Sequence, residues 1–123
     1  MKADPRPPAH VAHYVEALGR DRAIRFLLEF GGAELYIATA PKGRSRLSEV
    51  IGLDGAAALA GIAHLLPKRV PTAKPWIAQC LRVDGLNVAA IARLLHVSDV
   101  SVRKWLKRLP AGTFEDPRQM RLL

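Results

Sequence analysis

Apolar side chains recur at intervals of three and four over most of this chain, the spacing that gives an α-helix one buried face. Val11, Val15 and Leu18 predict a helix over Ala9 to Leu18, ended by Gly19. Ile24, Leu27 and Leu28 predict a second from Asp21 to Phe30. Asp21 stands at the end where the helix dipole favours an acid, and Gly31-Gly32 is the stop. The period then changes to two: Leu35, Ile37 and Thr39 share one face, Glu34 and Tyr36 the other, which predicts a short strand near 33–39. A basic turn follows (Pro41 to Arg46), then one helical turn from Leu47 to Ile51. Asp54 to Leu66 reads as an alanine-rich helix with Leu59, Ile62, Ala63 and Leu66 on one side, broken by Pro67. Lys68-Arg69-Val70 is a brief extended piece.

The last third has the sharpest pattern. Trp76 to Val83 is predicted helical with Ile77, Cys80 and Leu81 inward, and Pro75 suits a first helical turn. Asn87 is a good N-cap for a helix from Val88 to Leu95, and Ser98 for one from Asp99 to Leu109. His96-Val97 is the turn between them. Counted from Val88, the fifth residue is Ala92, small as a close helix crossing demands. Val97 falls under the turn, and Val102 and Trp105 face Ile91 and Leu95. The departure is His96, at a position where glycine is commoner. The turn predicts a positive φ there, which histidine tolerates at an expense of about 1 kcal/mol.

With Val102 and Trp105 inward, the 3.6 period turns Asp99, Val100, Ser101, Arg103, Lys104, Lys107 and Arg108 outward. A basic face opposite a packing face, after a cap and a tight turn, predicts a helix that enters the major groove of duplex DNA. Arg103 has the fork for guanine O6 and N7, Val100 suits a thymine methyl, and Ser101 can donate or accept. Asp99 either accepts from cytosine N4 or serves the helix N-terminus. Lys104, Lys107 and Arg108 are expected on phosphates, with Asn87 and the helix end beside it as a further phosphate contact.

Charge agrees with this placement. Residues 1–66 hold eight Lys and Arg against seven Asp and Glu, whereas residues 67–123 hold eleven against four. The net +8 therefore belongs almost wholly to the C-terminal half, and suits either a polyanion partner or a well-solvated surface. A single cysteine, Cys80, excludes an internal disulfide and a cysteine zinc cluster. His10 and His13 stand three apart on a helix but lack an evident third ligand. No nucleophile, base and acid set and no phosphate-binding glycine loop is legible, so neither enzymatic activity nor a cofactor is expected. No apolar run is long enough for a membrane span, and Met1-Lys2-Ala3-Asp4-Pro5 lacks the apolar core of a secretory signal. A bacterial cytoplasm, in association with the nucleoid, is the expected compartment.

A faint repeat runs at an offset of 33: Leu18-Gly19 with Ile51-Gly52, Ala23 with Ala56, Leu27 with Ala60, Ile37 with Val70. If genuine, it makes the N-terminal lobe pseudo-symmetric.

Phe30-Gly31-Gly32-x-x-Leu35-Tyr36-Ile37, followed by Ile91-Ala92-Arg93-Leu94-Leu95-His96-Val97-Ser98-x-x-Ser101-Val102-Arg103-Lys104, resembles the Mor transcription activator family of phage middle and late activators. Ala38 replaces that family's proline, and His96 its common glycine. The resemblance implies a homodimer with intertwined N-terminal helices and a short strand leading to the DNA-binding module. Ile24, Leu27, Phe30, Leu35, Tyr36 and Ile37 would then be dimer contacts, joined by Leu59 and Ile62. It further implies an inverted-repeat operator and host RNA polymerase as a partner.

The expected architecture is mainly α. A flexible arm (1–8) precedes a dimerisation lobe with one or two short strands (9–71). A three-helix, helix-turn-helix module (72–110) and a basic tail (111–123) follow. The expected function is sequence-specific binding of double-stranded DNA as a homodimeric transcription regulator, most simply a phage or prophage activator. A repressor, a targeting module for a recombinase or transposase, and a protein-interaction module with an incidental basic face are the alternatives.

Overall fold

The computed structural model describes residues 5–35 and 46–108. The protein is mainly helical: α1 (Ala9–Leu18), α2 (Arg20–Phe30), α3 (Arg46–Gly61), a 3-10 turn at Ala63–Leu65, α4 (Lys74–Val83), α5 (Val88–Leu95) and α6 (Asp99–Leu106). No helix among the described residues is long and apolar enough to cross a membrane. The chain divides into two compact units, Pro7–Ala73 and Lys74 onward, and the second is joined by Pro5 and Arg6.

In the first unit, α1, α2 and α3 pack against one another pairwise. Their shared core is Val11, Tyr14, Leu18, Ala23, Ile24, Phe26, Leu27, Leu47, Ile51, Ala56 and Leu59. Tyr14 and Phe26 stack with ring centroids 5.3 Å apart, fastening α1 to α2, and burial pushes the Tyr14 phenol above its ordinary pKa. The predicted turn at 47–51 and the helix after it join as α3, which bends at a non-helical Gly52. The helix stops at Gly61, short of the predicted Leu66, and the 3-10 turn completes the segment.

The predicted strand near 33–39 is described only to Leu35, and within that range it is a single antiparallel bridge from Glu34 to Arg69. Backbone bonds from Gly32 N–H to Val70 O (2.7 Å), Val70 N–H to Ala33 O (2.9 Å) and Leu35 N–H to Lys68 O (3.0 Å) hold the two segments together. Gly31 has no room for a side chain, because a Cβ there would lie 2.4 Å from Leu27 O and 3.2 Å from Pro71 O.

Two expectations fall on residues that the single chain already packs. Ile24 and Leu27, offered as dimer contacts, are 6% and 1% exposed within a single chain, so their apolar surface is already used by the unit's own core. Phe30 and Leu35 are half-buried, and Tyr36 and Ile37 lie outside the described residues. The arm expected over residues 1–8 to be flexible is anchored where it is described: Pro5 is buried, and its carbonyl accepts the Trp76 indole N–H at 3.0 Å.

In the second unit α4 packs on α5 and α6, and α5 on α6. Trp76, Ile77, Cys80, Leu81, Ile91, Ala92, Leu95 and Val102 are buried. The α4 C-terminus closes with Leu86 N–H on Leu81 O and Gly85 N–H on Arg82 O, the paired bonds that satisfy orphan carbonyls at a helix end.

Candidate nucleic-acid interface

The site is built on α5, the turn and α6. Asn87 caps α5 by accepting Ala90 N–H on its side-chain oxygen at 2.8 Å. At the other end Val97 N–H reaches Ala92 O (3.0 Å) and His96 N–H reaches Arg93 O (3.4 Å), the same paired closure that ends α4. That closure needs a left-handed residue, and His96 supplies it with φ 56 and ψ 48. Ser98 then caps α6, its hydroxyl oxygen accepting Ser101 N–H at 3.2 Å. Ala92 is 5% exposed, so the small residue lies where two helices meet.

This local geometry turns α6 as its period dictates. Val102 is 0% exposed. Trp105, expected inward, is half-buried, and Gln79 of α4 donates to its carbonyl at 3.0 Å. Asp99, Val100, Arg103, Lys104, Lys107 and Arg108 are all exposed, as are Asn87 and Ser98, while Ser101 is half-buried. The helix ends at Leu106 with Lys107 as its cap residue, earlier than the predicted Leu109, which lies outside the described residues. The tail beyond it, the basic turn residues Lys42 and Arg44, and the arginines Arg118 and Arg121 also lie outside them.

Within the face, the Asp99 carboxylate stands 3.9 Å from the Arg103 guanidinium, one helical turn away. Asn87 and Ser98 spend one side-chain oxygen each on a helix cap, and Ser101 receives the Ser98 hydroxyl at 3.1 Å. Lys104, Lys107 and Arg108 are mobile-length cations on an exposed surface, suited to phosphate oxygens. Sequence reasoning missed a shallow, open depression beside the turn. A concavity of about 430 Å³ is lined by Ala89, Ala92, Arg93, His96, Val97 and Asp99. Arg93 is exposed there and adds a cation from α5, a residue that the face analysis of α6 alone does not reach. No cluster of three or more His, Cys, Asp or Glu forms among the described residues.

No protein-family model, curated protein or solved structure matches this chain.

Proposed function

We propose that this chain is a sequence-specific, double-stranded DNA-binding regulator of transcription, with α5 and α6 as its helix-turn-helix and no catalytic role. The observation that carries the reading is the division of α6. Val102 is wholly buried, while Arg103 and Lys104 on the helix, and Lys107 and Arg108 just after it, are exposed. A capped helix with that division offers its N-terminal turn to base edges and its later cations to the backbone. The resemblance to the Mor family supports the further reading of a phage or prophage activator that binds an inverted repeat as a homodimer and contacts host RNA polymerase.

One module of this size makes few phosphate contacts, and two-fold pairing doubles them. Ile24 and Leu27 are buried within one chain, so a second copy that leaves this core intact would meet other surface. Among the described residues of the first unit, the large apolar side chains left exposed are Leu28, Leu53 and Leu65, at 40%, 52% and 50%.

Fluorescence anisotropy on a labelled random-sequence duplex tests the reading. With about eight phosphate contacts per dimer, affinity falls on the order of ten-thousandfold between 50 and 200 mM salt. Lys107→Ala lowers that salt slope by about one contact per protomer. A chain that stays folded and shows no salt-dependent duplex binding belongs to the protein-interaction class instead.

A further inference from the structure

Among the described residues, the most solvent-exposed large apolar side chain sits in the first turn of α6, beside that helix's two exposed cations. Val100 is 71% exposed, one residue into α6, with Arg103 three positions on and Lys104 four. Helical neighbours at those spacings share a face. A β-branched residue is no asset to an exposed first turn, because it loses rotamer freedom there and covers nothing. The cations around it favour a polyanion over an apolar protein pocket. The apolar feature that a polyanionic duplex presents in its major groove is the thymine 5-methyl group.

Arg103 lies close enough along the helix to act in concert with Val100. Three residues advance about 4.5 Å, near the roughly 3.4 Å spacing of bases along one strand. Asp99 alone would repel a phosphate backbone. Its carboxylate is 3.9 Å from Arg103, near enough for the opposite charges to offset one another on this exposed face.

We infer that α6 reads a thymine through contact of Val100 with its methyl group, next to a guanine read by Arg103, and that Asp99 is a positioning residue for Arg103 rather than a reader of cytosine. This rests on the DNA-binding reading above and adds to it the base chemistry of the half-site.

The test begins with duplexes enriched from a random pool by the full-length chain. Each thymine of the enriched site is replaced in turn by deoxyuridine, which lacks only the methyl, and each guanine by 7-deazaguanine, which lacks N7. One thymine substitution is expected to weaken wild-type binding about fourfold, the worth of one buried methyl-sized group. Val100→Ala binds the thymine and uracil forms equally. Replacing a neighbouring guanine weakens the wild type by about tenfold, within the range of a lost bidentate contact, and Arg103→Ala is indifferent to that replacement.

Asp99→Asn holds random duplex at least as tightly as the wild type but loses part of the guanine preference. The inference fails if no thymine is sensitive to its methyl, or if Val100→Ala keeps the sensitivity. The role of Asp99 fails if Asp99→Asn changes discrimination at a cytosine and leaves the guanine untouched. In each of those cases retained binding of random duplex leaves the broader reading standing. A folded chain that binds no duplex removes both. Val100 and Asp99 are exposed, so circular dichroism of each variant is expected to match the wild type.

Discussion

Gly19 and Gly52, 33 residues apart, adopt the same backbone conformation: φ 82 and ψ 163 at the first, φ 81 and ψ 162 at the second. Each joins two helical segments at a sharp bend. The residues around them correspond as well. Tyr14 and Leu47, Leu18 and Ile51, Ala23 and Ala56, and Phe26 and Leu59 are all buried at that offset. One side chain ties the two segments together: Arg22 donates to Leu18 O at 2.9 Å and to Ile51 O at 3.2 Å, carbonyls 33 residues apart.

That conformation is open almost only to glycine, so alanine at either position is expected to destabilise the first unit by about 1–3 kcal/mol. Gly52→Ala should do more harm than Gly19→Ala. A Cβ at 52 meets Asp54 Oδ1 at 2.8 Å, whereas nothing lies within 4 Å at 19. Thermal melts of the two variants check the order.

Arg22 also donates to Asp54 at 3.0 Å, and that hydrogen bond holds the Asp54 carboxyl below its ordinary pKa. A carboxylate depressed in the folded state adds stability that is present at neutral pH and lost as the pH falls below about 4. Arg22→Ala should therefore lower stability at pH 7 by about 1–2 kcal/mol, mostly through the two carbonyls it leaves. It should also shrink the Asp54 part of the acid limb, leaving the share that the Gly55 N–H supports, whereas Asp54→Asn removes that part entirely. Urea unfolding at pH 7 and pH 3.5 separates the two effects.

His96 closes α5 in the left-handed region at φ 56. A β-branched residue fits that region worst and glycine best. His96→Val is expected to be less stable than the wild type by about 1–2 kcal/mol, and His96→Gly at least as stable as the wild type. Denaturant midpoints that rank valine above glycine would remove the strained turn from the account.

Leu27 is 1% exposed, so Leu27→Asp places an unpaired charge in the core and should unfold the first unit rather than leave a folded monomer. Sedimentation with circular dichroism distinguishes these outcomes. A native-like helical monomer would return Leu27 to the subunit interface.

Most of this fold was legible because its helices are local. Ala9–Leu18 and Val88–Leu95 have the bounds that spacing and capping predict. Asn87, Ser98 and the left-handed His96 follow from turn chemistry alone. What local pattern cannot carry is partnership across the chain. The use of Pro5 by Trp76 joins residues 71 positions apart. The same limit explains Ile24 and Leu27, whose apolar stripe is equally suited to a chain's own third helix and to a second subunit. On the candidate site, exposure of the α6 cations was legible from the period, whereas the Arg93 wall of the depression needs the shape of the turn. The pairing of Asp99 with Arg103 has the common i, i+4 spacing, but which duty Asp99 serves was not fixed by spacing.

The most direct test of the central claim, that the exposed face of α6 selects DNA by sequence, is repeated selection of duplexes from a random pool with the wild-type chain and with Arg103→Ala. The account predicts a two-fold symmetric consensus for the wild type and its loss for Arg103→Ala, with residual affinity for random duplex. A folded wild-type chain that enriches no sequence, or the same consensus from both proteins, would contradict it.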